Sequence, residues 1–512
     1  MTDCTDELIA RSWAAATPRE RLARLLLIRS DIDAGGKPSA DTQRVLKAGV
    51  GAFHGAPLLE RAGLAGPRVA REFNAEMRRI SIEHFEIPAL VGGNAERGLS
   101  YTTRTGGTDV PYPAALGLAD PSLSEAVGQR VGVEFAATGY SWVFQPVVDV
   151  RTTARDPVIG VRAFGSAPEV VAEHGAACVR GLQSAGVLAT AKHFPGHGDA
   201  DVDSHLGLPV VRRNFVDHDR IHVEPFRYLI EAGVATIMTA HLLLPELGVN
   251  EIATFSREIC TDLLRDELGF EGLLVTDSLR MAAVAEQAGY AQAYVSSLHA
   301  GCDVMNIRCW PHEVDPLLDE LERLYFDGSI DEGALHTAFA RVVDAALQAT
   351  PAPGAPVTEG TQPFTDGRLP LLLERCDPAA ELPLTLSGSK VLGVLVESPR
   401  DTDAPPLSLL STIESVAGCS VRRIAVDEVE DVDAVLAVSY GQAGPTDTEL
   451  MYFERAATAT RPGAALIAGP SATFRPTGLP AVMIPTIDVF GMASGATLGP
   501  AVEALVRLSE KG

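Results

Sequence analysis

Residues Glu169 to His193 read EVVAEHGAACVRGLQSAGVLATAKH, and the hydrophobic period changes inside that stretch. Glu169 to Ser184 carries its apolar residues at helical spacing, whereas Val187 to Ala191 is a short, nearly unbroken apolar run. The first pattern predicts a helix and the second a buried strand, so together they make one step of a parallel α/β sheet. The strand closes on Lys192 and His193, two polar side chains at its carboxyl end.

The same alternation recurs on both sides. Strand-like runs fall at Leu25 to Ile28, Pro88 to Val91, Val143 to Val148, Ala235 to Met238, Leu273 to Val275 and Cys302 to Ile307, with helical spacing between them, as at Phe226 to Ala232. About 340 residues of repeated βα units predict an α/β fold of TIM type, a (β/α)8 barrel with insertions. An open doubly wound sheet is the alternative that periodicity leaves standing. The pattern stops at Ala349 to Pro363, ATPAPGAPVTEGTQP, where the density of Pro and Gly predicts an extended linker. Residues 1–348 are therefore expected to form the barrel, 349–368 the linker, and 369–512 a smaller α/β domain. Its strands are read at Val391 to Val396, Ala434 to Val438, Ala464 to Ala468 and Ala481 to Ile484.

The chain has 512 residues, with 42 Lys and Arg against 67 Asp and Glu, and a formal charge of −25. With 46% apolar and 21% charged residues it can bury large cores. The acidic surplus argues against nucleic acid or an anionic membrane as a partner, because phosphate binding needs concentrated Lys and Arg. A small neutral or polar ligand fits better. The cysteines lie far apart with no CxxC pair, which predicts reduced thiols rather than a disulfide framework or a zinc site. Met1 to Arg11 lacks the apolar centre of a signal peptide, and no apolar run approaches the roughly 20 residues that cross a bilayer. A cytoplasmic location is expected.

Polar residues collect at the carboxyl ends of the predicted strands. Asn94 and Glu96 follow the Pro88 strand, Asp149 follows Val148, His241 ends the Ala235 strand, and Asp277 follows Leu273 to Thr276. In a parallel barrel these ends converge on the face where substrates bind. The densest piece is Lys192-His193-Phe194-Pro195-Gly196-His197-Gly198, followed by Asp203-Ser204-His205. Glycines and a proline around three histidines predict an irregular loop in which imidazoles approach a ligand closely. His193 and His197 have a plainer reading too, as donors to loop carbonyls. A metal is the sharper rival, but the loop has no HExxH spacing, and zinc would leave Lys192 and Asp277 unexplained. No metal or cofactor is expected.

Taken in chain order, Val158 to Gly165 (VIGVRAFG), Lys192 to Gly198 (KHFPGHG), Asp203-Ser204-His205, Met238 to His241 (MTAH) and Leu268 to Met281 (LGFEGLLVTDSLRM) resemble motifs of glycoside hydrolase family 3, in its bacterial β-N-acetylglucosaminidase branch. The resemblance covers about Pro88 to Cys309. It implies a retaining glycosidase with Asp277 as nucleophile and with His205, paired to Asp203, as general acid and base. It also implies that Lys192, His193 and Arg162 contact the sugar. These residue types suit those tasks. A strand end presents a carboxylate rigidly to the anomeric carbon, and an imidazole with an ordinary pKa of about 6.5 gives and retrieves a proton near neutrality. Read without the motif, Asp277 could cap a helix and Arg162 could pair with Asp149.

One departure stands out. The family reads Asp-x-Glu-Gly-Gly-Arg after an early strand, where this chain has Asn94-Ala95-Glu96-Arg97-Gly98-Leu99. Asn94 would replace a charged acceptor with a neutral amide, and the family arginine is unmatched, with Arg104 close enough to substitute. The sequence therefore reads as a cytoplasmic β-N-acetylhexosaminidase releasing terminal β-linked N-acetylglucosamine, with peptidoglycan recycling as its implied setting. A phosphorylase using the same residues is one alternative, since a histidine acid/base does not repel phosphate. A barrel that binds sugar without turnover is the other, motivated by Asn94 and opposed by the intact Asp277, Asp203 and His205.

Overall fold

The computed structural model describes residues 2–55, 65–103, 105–117, 119–152, 159–199, 208–281, 284, 289–351, 357–360, 362–364 and 366, together with the backbone of five later strands. Eight strands form one parallel sheet: β1 Leu26–Ile28, β2 Ala52–His54, β3 Leu90–Gly93, β4 Trp142–Val143, β5 Leu188–Phe194, β6 Thr236–Thr239, β7 Leu273–Val275 and β8 Met305–Asn306. Each strand from β1 to β7 pairs with the next, except β7 and β8, and β8 pairs back onto β1 with Leu26 beside Met305. A parallel bridge between Val275 and Val304 joins that last seam, where the Thr276 N–H donates to Val304 O at 3.0 Å. The ring so made is a TIM-like barrel and excludes the open doubly wound sheet.

Helices Ala40–Lys47, Pro67–Phe85, Pro121–Ala137, Pro168–Gln183, Glu224–Glu231 and Tyr290–Ala300 return the chain between strands, and the π-helical segment Glu258–Glu267 does so between β6 and β7. The stretch quoted at the outset shows how. Pro168 opens its helix at a position whose N–H would be unpaired anyway, and Val171, Ala172, Val179 and Leu182 form the buried face. Gly186 then turns the chain at φ 77°, and a Cβ there would lie 2.2 Å from Thr350 O, so only glycine fits. Every residue of β5 is buried.

At the barrel centre Trp142 donates its indole N–H to Thr190 Oγ1 at 2.8 Å and Thr236 Oγ1 at 3.0 Å, tying β4 to β5 and β6. Its ring meets Phe144 edge-on with centroids 5.1 Å apart. Filling the ring with such side chains stabilises it by roughly 2 to 3 kcal/mol each and leaves no pore along its axis.

Some boundaries differ from the sequence expectation. The run expected at Val143 to Val148 is a strand only over Trp142–Val143, because Pro146 has no N–H to donate to a ladder. The chain nonetheless stays beside β5, with Val148 N–H donating to Lys192 O at 2.7 Å. β3 sits two residues later than Pro88 to Val91, and β5 runs on through Lys192 and His193 to Phe194. β2 is not among the expected strands, since Ala52-Phe53-His54 lacks the branched aliphatic run that marks the equally short β1 and β7.

The five later strands, β9 Val391–Val396, β10 Ser420–Arg423, β11 Ala434–Tyr440, β12 Gly463–Ala468 and β13 Ala481–Ile484, form a parallel sheet in the order β10-β9-β11-β12-β13. The chain divides into two compact units, one of residues 1–108, 124–150 and 167–362 and one of residues 109–123, 151–166 and 363–512. Among the described residues no helix is long and apolar enough to cross a membrane.

Candidate active site

The carboxyl ends of β2 to β8 all deliver polar side chains to the barrel mouth, with two from β3 and two from β5. Strict alternation would send Lys192 and His193 to opposite faces. The register between β5 and β6 shifts at Lys192 to Phe194, and that irregularity lets both side chains reach residues beyond neighbouring strand ends. Lys192 Nζ, almost fully buried, donates to Glu96 Oε1 at 3.3 Å and Asn94 Oδ1 at 3.4 Å, both past β3. His193 turns instead to Asp149, past β4, donating from Nδ1 to Oδ2 at 2.7 Å. That bond fixes the proton on Nδ1 and leaves Nε2 for a ligand.

Asp149 is fully buried and accepts more than the imidazole. The backbone N–H groups of His193 and His197 donate to Oδ1 at 3.2 and 2.7 Å. Burial by itself would raise this carboxyl, but the His193 and His197 charges and hydrogen bonds outweigh it and hold the pKa at about 2. Asp149 is therefore the anchor that ties the β5 end and the loop after it to β4. A sequence reading that placed it only as a strand-end carboxylate or a partner of Arg162 missed this role.

Asp277, just past β7, is partly open to the mouth and accepts from the Ser278 N–H at 2.6 Å. Burial raises its pKa, yet His193, His241, the Ser278 N–H and Lys192 together bring it down to about 2. A carboxylate so held is ionised at every working pH. His241, past β6, has Nε2 3.1 Å from the Ser278 carbonyl and Nδ1 2.8 Å from Thr254 Oγ1. The carbonyl can only accept, so Nε2 carries a proton. Burial lowers the pKa of His241 and favours the neutral ring.

Two mouth residues escaped the sequence reading. His54 ends β2 and donates from Nε2 to Asn306 Oδ1, on β8, at 3.0 Å. Burial and the Arg308 charge push the His54 pKa down to about 4, against a pull upward from Asp277. The signal was a short apolar run, Val50 to Phe53, ending on a histidine. Of the residues expected in the site, Asn94, Lys192, His193 and Asp277 come together here. Arg162 lies on the 3-10 turn Gly160–Arg162 within segment 151–166. Asp203, His205 and Arg104 lie outside the described residues. Among the described residues, no group of three or more His, Cys, Asp or Glu is placed to hold a metal ion. A cavity of about 580 Å³ opens at the opposite pole, where Val187, Ala235 and Gly272 lead into β5, β6 and β7, and takes no part in the mouth.

Behind the β5 loop, His218 and His222 are fully buried with ring centroids 5.0 Å apart. Burial lowers each to a pKa of about 4, as it does for His54. In the unfolded chain these rings take up protons near pH 6.5, so the unfolded state binds more protons than the native one between pH 6.5 and 4. Stability should then fall as pH drops through that window, by about 3 kcal/mol for each fully buried ring. Asp149 and Asp277 add a further loss from about pH 4 down to about 2. Denaturant midpoints measured from pH 8 to 4 test this; a flat profile between pH 7 and 4.5 would contradict it.

Residues 18–345 match the model of the glycosyl hydrolase family 3 N-terminal domain. A protein named beta-hexosaminidase from Thiobacillus denitrificans is 36% identical over 242 residues, which cover 46% of this chain and 67% of that one. One of the same name from Chromobacterium violaceum is 34% identical over 275 residues, 52% of this chain and 75% of that one. A solved family 3 beta-N-acetylglucosaminidase from Paenibacillus sp. str. FPU-7 superposes with a TM-score of 0.81 at 28% identity, covering 96% of this chain and 97% of that one. A TIM-like barrel whose strand ends gather ionised carboxylates, imidazoles and a lysine, matched over most of its length by that domain, identifies the chain as a member of glycosyl hydrolase family 3.

Proposed function

We propose that the protein is a retaining β-N-acetylhexosaminidase that removes terminal β-linked N-acetylglucosamine through a covalent ester on Asp277. The observation that carries this reading is the Asp277 carboxylate itself, placed at the mouth beside His193 and Lys192 and accepting from the Ser278 N–H at 2.6 Å. In the first step Asp277 bonds to the anomeric carbon as the glycosidic C–O bond breaks, and His205 gives the leaving oxygen its proton. In the second, water attacks the same carbon, His205 takes a proton back, and the bonding pair returns to Asp277. Asp203 would keep the His205 ring oriented and stabilise its charged form. Lys192 and the Nε2 of His193 would meet sugar hydroxyls, with Asn94 and Arg162 as further sugar contacts. The amino-sugar assignment draws support from the names of the relatives above and from the resemblance of the motifs.

Aryl β-glycosides of N-acetylglucosamine, N-acetylgalactosamine and glucose, with the product anomer followed by NMR, test the reading. The N-acetylglucosaminide should give the highest kcat/KM, by about 100-fold over the glucoside, with free β-sugar as first product. Hydrolysis of glucosides alone would remove the amino-sugar assignment. Sugar 1-phosphate formed only in added phosphate would replace hydrolysis by phosphorolysis.

A further inference from the structure

Arg29 and Arg308 stand just past the ends of β1 and β8, on neighbouring strands whose backbones interlock. The Arg29 N–H donates to Cys309 O at 2.9 Å, and the Arg308 N–H donates to Leu27 O at 3.2 Å. Close by, Arg280 is neutralised by Glu313 at 3.0 Å. Among the described residues, no carboxylate lies within ion-pair distance of Arg29 or Arg308. Arg29, half-buried, lies over the Trp310 ring at 4.8 Å, which fixes its plane without cancelling its charge. Burial and then repulsion by Arg308 and Arg280 lower its pKa, against a smaller pull upward from Glu313, so the cations are close enough to oppose one another. Arg308 is exposed and holds φ 56°, a left-handed backbone that a residue with a side chain adopts at a cost. Arg308 lies two residues past Asn306, whose carbonyl accepts from the Leu279 N–H at 2.9 Å, and Leu279 lies two residues past Asp277, so the pair stands on strand ends next to that carboxylate. In a chain of formal charge −25, two guanidinium groups that meet no carboxylate at ion-pair distance among the described residues make that rim locally positive.

We propose that Arg29 and Arg308 form an oxyanion subsite beside Asp277, taking a carboxylate or phosphate group that lies next to the scissile bond. The inference rests on the reading of Asp277 given above. Two planar forks side by side suit the paired oxygens of such a group. The anion comes either from an acidic substituent on the leaving group or from free phosphate in solution.

Calorimetry separates these with three probes: phenyl and 3-carboxyphenyl 1-thio-β-N-acetylglucosaminides, which resist cleavage, and inorganic phosphate. The carboxylated thioglycoside should bind about tenfold tighter than the neutral one, with the difference shrinking as salt rises. If free phosphate is the source, phosphate alone should bind and displace only the carboxylated ligand. Arg308→Gly, whose backbone suits φ 56°, should fold and bring the two thioglycosides to equal affinity, while Arg308→Lys keeps part of the difference. Equal affinities in the unaltered protein with no phosphate binding, or no binding by either thioglycoside, would overturn the subsite. Failure of Asp277 as nucleophile would appear as lost or inverting turnover instead, a readout these affinities do not use.

Discussion

Replacing Asp149 by alanine should lower barrel stability by about 3 to 5 kcal/mol and kcat/KM on an aryl N-acetylglucosaminide by about 100-fold. The stability loss follows from what the carboxylate leaves behind. The His193 ring N–H and the backbone N–H groups of His193 and His197 would all lose their acceptor in a site without solvent. Each buried donor left unpaired costs about 1 to 3 kcal/mol, and relaxation of the loop offsets part of the sum. The activity loss follows from the His193 ring, which loses the partner that sets its tautomer and aim. Asn at 149 keeps the shape but turns one acceptor into a donor facing a donor, so it should fall between the two in denaturant midpoint. A midpoint unchanged in Asp149→Ala would mean that the β5 end is positioned by packing alone.

How much could be read beforehand depended on whether a feature is local. The helix over Glu169 to Ser184 and the strand after it were legible because one buries a stripe and the other a whole run, and each leaves a period in the sequence. Closure of the ring by β8 onto β1 left no such period, because it pairs Met305 with Leu26, segments far apart in the chain. β2 and β10 were missed because Ala52-Phe53-His54 and Ser420-Val421-Arg422-Arg423 hold too few branched aliphatic residues to stand out, unlike the equally short β1 and β7. In the site, Asp277, Lys192 and His193 announced themselves as polar groups ending apolar runs. The anchoring role of Asp149, the His54 to Asn306 contact and the juxtaposition of Arg29 and Arg308 depend on which strand lies beside which. No window of sequence contains that information.

Asp277→Asn should reduce kcat/KM by about four to six orders of magnitude, the loss expected when a nucleophile is removed while the surrounding dipoles and charges stay. An amide has nearly the same shape and can still accept from the Ser278 N–H, so folding should survive and the loss should lie in chemistry. Turnover within about tenfold of the unaltered protein would take Asp277 out of the reaction. The most direct measurement traps the ester. The protein is treated with a 5-fluoro-N-acetylglucosaminyl fluoride, digested, and its peptides mapped by mass spectrometry. One glycosyl group on the peptide that contains Asp277, and none in Asp277→Asn, is the expected result; a sugar attached at any other residue, or full turnover with inversion and no adduct, would contradict it.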